Sequence, residues 1–215
     1  MAFDLYVVTD EAIGFGRSHA RQAELALRGG ADIIQLRDKT LPDDQLLRVA
    51  EEIRHLTRDA GALFIVNDSP AIAFACGADG LHLGQQDIPV ATARKHAPPG
   101  FLIGTSVGSV AEAVSAERAG ADYLALSPVF ATTSKADAGN GFGLARLKDI
   151  RDATRLPLIA IGGITHVNVG SVIDAGADGV AVISAVVGAE DISAAAAEMK
   201  ARILAAKQQG SSPYF

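Results

Sequence analysis

Short runs of aliphatic and β-branched residues recur along this chain, separated by longer stretches in which apolar residues return every three or four positions. Eight runs have this character: "DLYVVTD", "GGADIIQLR", "ALFIVND", "CGADGLHLG", "FLIGTS", "AGADYLALS", "LPLIAIGG" and "AGADGVAVIS". Each holds about four to seven residues of strand-forming type, bounded by turn residues, which predicts a buried β-strand. The intervening stretches read as helices. The clearest are "DDQLLRVAEEIRHLTRDAG", with Leu46, Leu47, Val49, Ala50, Ile53 and Leu56 on one stripe, and the Ala-rich "DISAAAAEMKARILAAK" near the end. Four of the strands follow a Gly-Ala-Asp turn that starts at Gly30, Gly77, Gly120 or Gly176, with spacings of 47, 43 and 56 residues. The Gly falls where a helix must stop and the Asp precedes a strand, so the repeat marks an αβ connection in every second βα unit.

Eight strands alternating with helices predict a parallel sheet, and right-handed crossovers close it most economically as a single-domain (β/α)8 TIM barrel. An open, doubly wound sheet is the alternative, but no strand runs into the G-x-G-x-x-G turn that would favour it. A length of 215 residues suits one such domain, expected over residues 1–209 with a short tail at 210–215. The hydrophobic share is 49% and the aromatic share 5%, so the core must be built from Ala, Val, Ile and Leu, as in helix-covered parallel sheets.

Charge then narrows the partners. Nineteen basic and 25 acidic residues give a net charge of −6 without any basic block, which argues against nucleic acid. The start "MAFDLYVVTDE" has no basic segment and only a short apolar run. No stretch approaches the ~20 apolar residues of a membrane span, so a cytoplasmic location is expected. The single cysteine, Cys76, lies in the apolar run "AIAFACGAD" and is expected to be a small buried side chain.

The chemistry gathers at the strand ends. "IIQLRDK" starts as a buried strand and then places Gln35, Arg37 and Lys39 on one parity. In a barrel, residues at the C-terminal ends of strands reach the mouth, where active sites are built. Taken alone, each strand end has a structural reading. Asp68 or Ser69 could cap the helix that begins near Pro70, Asp87 could cap the one behind Pro89, and His82, between Leu81 and Leu83, suits a satisfied interior histidine. Taken together the ends hold two carboxylates, several cations and amides, hydroxyls and a Gly-Gly turn. Chance capping does not assemble that set.

Asp68 and Asp87, on neighbouring strands, are hard oxygen donors of the kind that hold Mg2+ while leaving positions for substrate phosphate. Arg37, Lys39 and Lys135 suit the remaining negative charge. Gly162-Gly163 and "VISA" fall after the seventh and eighth strands, where barrels commonly bind a phosphate through backbone N–H groups. Two anion-binding regions in one mouth suggest two phosphorylated substrates.

The set "YVVTD", "QLRDK", "VNDS", "DGLHLGQQD", "GTS", "DYLALSPVFATTSK", "AIGGI" and "GVAVISA", in this order over nearly the whole chain, resembles the thiamine-phosphate synthase (thiamine-phosphate pyrophosphorylase) family. The resemblance implies a transferase on a (β/α)8 barrel. It would join 4-amino-2-methyl-5-hydroxymethylpyrimidine diphosphate to 4-methyl-5-(2-hydroxyethyl)thiazole phosphate, release pyrophosphate and use Mg2+. It further implies that Gln35, Arg37, Lys39 and Asn67 bind the pyrimidine diphosphate and that Asp68 and Asp87 hold the metal. Ser106 would contact the diphosphate or the pyrimidine amine, and Lys135 would close on the diphosphate. Thr132, Ser134, Gly163, Ile183 and Ser184 would surround the thiazole phosphate. Arg37, Lys39, Ser106 and Lys135 would carry the catalytic charge stabilisation. The partners implied are small molecules, with neither nucleic acid nor membrane, and a homo-oligomer is left open.

Ser69, Ala125 and Ser127 depart from the family pattern, and Ser134 keeps the hydroxyl of the commoner Thr. A thiazole tautomerase-like isomerase and a non-catalytic phosphate-ligand sensor are the rival functions; Asp68, Asp87 and Lys135 speak against the isomerase. The segment at residues 130–143 is long for a βα connection and carries Lys135, so a closing lid is expected there.

Overall fold

The computed structural model describes residues 3–132, 134 and 140–210. In chain order the elements are β1 (Leu5–Val8), α1 (His19–Arg28), β2 (Ile33–Leu36), α2 (Asp43–Ala60), β3 (Leu63–Asn67), α3 (Pro70–Ala75), β4 (Gly80–Leu83), α4 (Val90–His96) and β5 (Leu102–Val107). They continue with α5 (Val110–Arg118), β6 (Tyr123–Leu126), α6 (Gly143–Ala153), β7 (Leu158–Ile161), α7 (Val169–Asp174), β8 (Gly179–Val182), α8 (Ser184–Val187) and α9 (Ile192–Gly210). Every strand pairs in parallel with the next, and β8 returns to β1, so the sheet closes as a (β/α)8 barrel. Seven of the eight strands lie within the runs identified from the sequence, and β5 runs one residue past its run, to Val107.

The strands are buried on both faces because helices cover the outside and side chains fill the inside. The two marked helices form as expected. α2 ends at Gly61 in a left-handed conformation (φ 68°), and its buried line is Leu46, Ala50, Ile53 and Thr57. Leu47, Val49 and Leu56 only flank that line, half-buried. α9 buries Ile192, Ala196, Met199 and Ile203 against α7 and α1, and runs through Gly210, into the expected tail. Cys76 is half-buried behind α3, its Sγ facing the Ala73 carbonyl at 3.6 Å, and burial pushes its thiol pKa up.

The Gly-Ala-Asp repeat does more than turn the chain. Asp32, Asp79, Asp122 and Asp178 each accept an N–H from the first or second residue of the preceding strand: Leu5 (2.9 Å), Phe64 (2.8 Å), Ile103 (2.7 Å) and Leu158 (2.8 Å). Each also meets a cation: Lys200, Arg54, Arg94 and Arg151 in turn. The barrel floor is therefore four copies of one clamp, each tying an odd strand to the even strand that follows.

Candidate active site

The alternation in "QLRDK" has a structural cause. Gln35 still belongs to β2 and points into the barrel interior, 5% exposed, one layer below the rim. Arg37 and Lys39 line a cleft at the mouth. Asp38, of opposite parity, turns back into the fold. It accepts the N–H (2.6 Å) and hydroxyl (2.7 Å) of Thr40 and the N–H of Leu41 (2.8 Å), and it meets His19 Nε2 at 3.1 Å. Burial alone would raise the Asp38 pKa, but these bonds outweigh it and hold the carboxyl well below its ordinary range. The fully buried His19 ring bonds Thr9 Oγ1 at 2.7 Å, so β1, α1 and β2 together fix the segment that presents Arg37 and Lys39.

Across the cleft, β3 ends in Asn67 and Asp68. Ser69 caps α3 by accepting the Ile72 N–H (3.4 Å), with Pro70 in the first turn. That leaves Asp68 for the mouth, in a left-handed backbone conformation (φ 61°) that its N–H stabilises by donating to the His82 carbonyl. Asp87 does not cap α4, which starts behind Pro89 without a side-chain cap. Its carboxylate folds back to accept the Gly84 N–H at 2.6 Å and stands beside Asp68. Burial first, then the hydrogen bond and charge of Asp87, push the Asp68 pKa up to about 6, while Lys39 (3.7 Å) and Arg37 pull against that rise. Arg37 also faces Asp10 at 3.8 Å.

Behind this cleft, and sharing His82 and Ser106 with it, lies an interior cavity lined by Tyr6, Gln35, Ala125, Ile159, Ile161 and Ala181. His82 is the satisfied interior histidine its flanks suggested, bonded through Nδ1 to Tyr123 Oη and through Nε2 to Ser106 Oγ. A third cavity opens over β6 to β8 and brings together Thr132, Ser134, Gly163, Ile183 and Ser184. Ser134 Oγ lies 3.5 Å from Ser184 Oγ, and its N–H reaches Thr132 Oγ1. Glycine is required at the turn here. A Cβ on Gly162 would come within 2.5 Å of Pro128, and one on Gly163 within 2.6 Å of the Ala131 carbonyl. Ile161 and Ala181 join this cavity to the interior one, while Ser127 and Pro128 join it to the cleft. Lys135 lies outside the described residues, as do residues 133 and 136–139 of the expected lid. Thr9, His19, Asp38, Tyr6 and Tyr123 were not singled out from sequence, because the contacts of His19 with Thr9 and Asp38 and of Tyr6 with Tyr123 are made only once separate elements pack together.

This arrangement defines a (β/α)8-barrel protein in which a cleft of cations and carboxylates, a lined interior and a glycine-turn site meet in one mouth. The model of the thiamine monophosphate synthase family matches residues 5–186. A "Thiamine-phosphate synthase" of Methanoculleus marisnigri is 65% identical over 98% of this chain and 100% of its own length, and one of Methanoregula boonei is 60% identical over 97% of each. The solved "Thiamine phosphate pyrophosphorylase from Pyrococcus furiosus" superposes with a TM-score of 0.88 at 40% identity, over 95% of this chain and 96% of that one. The chain belongs to the thiamine monophosphate synthase family.

Proposed function

We propose that this chain is the transferase its family indicates, condensing 4-amino-2-methyl-5-hydroxymethylpyrimidine diphosphate with 4-methyl-5-(2-hydroxyethyl)thiazole phosphate to give thiamine phosphate and pyrophosphate. The observation that carries the reading is the confluence of three cavities. The cleft suits a diphosphate, the interior a flat heterocycle, and the glycine-turn cavity a second phosphate.

The donor set fits a divalent cation. Two carboxylates face each other in a half-buried cleft, where burial and then the neighbouring Asp87 already drive Asp68 toward protonation, and a cation between them would relieve that conflict. Among the described residues no cluster of three or more His, Cys, Asp or Glu side chains forms, so a metal here would keep positions for water and phosphate oxygens. Asp68 and Asp87 would hold Mg2+. When bound, Mg2+ supplies Lewis-acid stabilisation of a departing pyrophosphate.

The chain's own groups do the rest. Arg37 and Lys39 neutralise charge that develops on the leaving group, with Lys135 in the same role by family correspondence. Asn67 donates to the diphosphate. Gln35 and Ser106 orient the pyrimidine so that its amino group can push electron density toward the carbon that loses pyrophosphate. The carbon–oxygen bond breaks first, and the thiazole nitrogen then supplies the electron pair for the new carbon–nitrogen bond. Thr132, Ser134, Gly163, Ile183 and Ser184 anchor the thiazole phosphate and hold that nitrogen in line. No protein nucleophile takes part.

Pyrophosphate release measured with both substrates and Mg2+ tests the reading. Equal yields of pyrophosphate and thiamine phosphate are expected. Binding without release would instead mark a phosphate-ligand sensor, and metal-independent conversion of a thiazole carboxylate phosphate would mark the isomerase.

A further inference from the structure

Five polar side chains form one line of hydrogen bonds through the barrel interior. It runs from Gln35 Nε2 to Tyr6 Oη (2.6 Å), to Tyr123 Oη (3.1 Å), to His82 Nδ1 (3.1 Å), and from His82 Nε2 to Ser106 Oγ (3.0 Å). Both phenols are buried, and burial raises both pKa values far enough that each keeps its proton. The Tyr123 ring is built into its place. A Cβ on Gly104 would come within 1.9 Å of Tyr123 Cζ, so β5 must be bare of side chain where the ring crosses it.

Each phenol has one proton to give, and this fixes the sense of the line. Gln35 Nε2 donates to the Tyr6 oxygen. Among the described residues, Tyr123 Oη is the acceptor left for the Tyr6 proton. Tyr123 must then give its own proton to His82 Nδ1, which places the imidazole proton on Nε2, where it donates to Ser106 Oγ. Ser106 receives a bond from inside the fold and keeps its own proton for the cavity. At the other end, Gln35 Oε1 accepts no hydrogen bond among the described residues. The two ends of one line are thereby opposite, an acceptor at Gln35 and a donor at Ser106, and neither can reverse unless every proton between them turns.

We propose that Tyr6, Tyr123 and His82 are positioning residues that hold Gln35 Oε1 as an acceptor and Ser106 Oγ as a donor, so that the interior cavity selects a 4-aminopyrimidine over its 4-oxo analogue. This rests on the reading that the pyrimidine occupies the interior cavity. A 4-aminopyrimidine presents an N–H donor beside a ring-nitrogen acceptor, and the 4-oxo form presents the reverse. A site with both of its senses fixed meets the wrong analogue with donor against donor and acceptor against acceptor.

The polarity can be read without substrate. In histidine-15N-labelled protein, the His82 signal is identified among the five histidines by its loss in His82→Gln. The wild type is expected to carry the His82 proton on Nε2, Tyr6→Phe to keep it there, and Tyr123→Phe to show both tautomers. In turnover, discrimination is the KM for the pyrimidine diphosphate set against the inhibition constant of its 4-oxo analogue. Tyr123→Phe should narrow it roughly tenfold, about the worth of one hydrogen bond, with the KM for thiazole phosphate unchanged. Tyr6→Phe, which frees the Gln35 amide to turn, should narrow it too. An Nδ1 proton in an actively turning-over wild type would overturn the line and leave the proposed function standing. So would full discrimination in Tyr123→Phe with its tautomers mixed. A correct tautomer with no pyrophosphate release would instead overturn the function, and the selectivity with it. If Tyr123→Phe does not fold, the wild-type tautomer and Tyr6→Phe still decide the matter.

Discussion

The floor and the mouth of this barrel spend charge in opposite ways. At the floor, each of four aspartates accepts a strand N–H and meets one cation, and each turn that needs a positive φ has glycine there: Gly30, Gly77, Gly120 and Gly176. At the mouth, two carboxylates stand together, and one positive φ falls on a side-chain-bearing residue, Asp68, a strain on the order of 1 kcal/mol. The floor satisfies its groups within the chain. The mouth holds its groups in looser pairs, Lys39 with Asp68 at 3.7 Å and Arg37 with Asp10 at 3.8 Å. Under the proposed function a ligand completes them, so the same residue type would stabilise one end and serve chemistry at the other.

The sharpest way to break that contrast is at the carboxylate pair. Asp68→Asn and Asp87→Asn should each remove several kcal/mol of transition-state stabilisation, on the order of a thousandfold in turnover, without lowering the thermal midpoint. Near-normal pyrophosphate release by either variant at saturating Mg2+ would show that the mouth is not organised around these groups.

At the floor the expectation reverses. Asp79→Ala strands the Phe64 N–H and the Arg54 guanidinium, whose Nε is already buried without a partner among the described residues. Denaturant unfolding should show a loss of roughly 2–3 kcal/mol, while kcat of the folded fraction stays put. A catalytic defect without a stability defect would contradict the division.

The two ends should also respond to pH with opposite sign. Burial opposes ionisation of Asp4, but Lys207 and Lys200 outweigh it and lower its pKa. Its contribution is therefore complete above the ordinary carboxylate range and is lost as pH falls through the lowered value. Asp68, raised to about 6, does the reverse, and its ionisation costs stability as pH climbs from about 4 to 6. In chelator, Asp68→Asn should recover on the order of 2 kcal/mol at pH 7. Asp4→Asn should flatten only the acid limb. Urea titrations across pH would expose any failure of these signs.

The smallest effects divide the mouth itself. Ser184→Asp should raise the KM for thiazole phosphate by about tenfold or more and spare the pyrimidine diphosphate, and Arg37→Ala should do the opposite. Equal shifts in both constants would merge the two anion regions into one.

The strands were legible because buried parallel strands need unbroken aliphatic runs, which survive in one dimension. The row Gln35, Arg37, Lys39 was legible for a related reason: parity along a strand end is a local property. Asp87 misled, since a carboxylate two residues before a proline looks like a cap. Only the fold shows it turning back on Gly84 to face Asp68. Thr9, His19 and Asp38 escaped because their bonds join three elements. Tyr6 and Tyr123 escaped because they are 117 residues apart and read as ordinary strand aromatics until the sheet closes. The clamp was half legible: its period showed in the sequence, but its purpose needed the neighbouring strand.

That period also says where the ring of strands can be opened. The floor divides the barrel into four staves, β1–β2, β3–β4, β5–β6 and β7–β8, and the basic residue in each clamp comes from a helix behind an even strand, so each stave is locked by the one before it. β8 and β1 meet at a seam between two staves. A circular permutant with new ends at residues 61–62 or 97–100 would keep every stave whole, whereas one opened at residues 29–32 would cut through an aspartate turn. The chain can thus be re-sewn at the even-to-odd seams, and a library of permutants should recover folded members there and lose them at the odd-to-even ones.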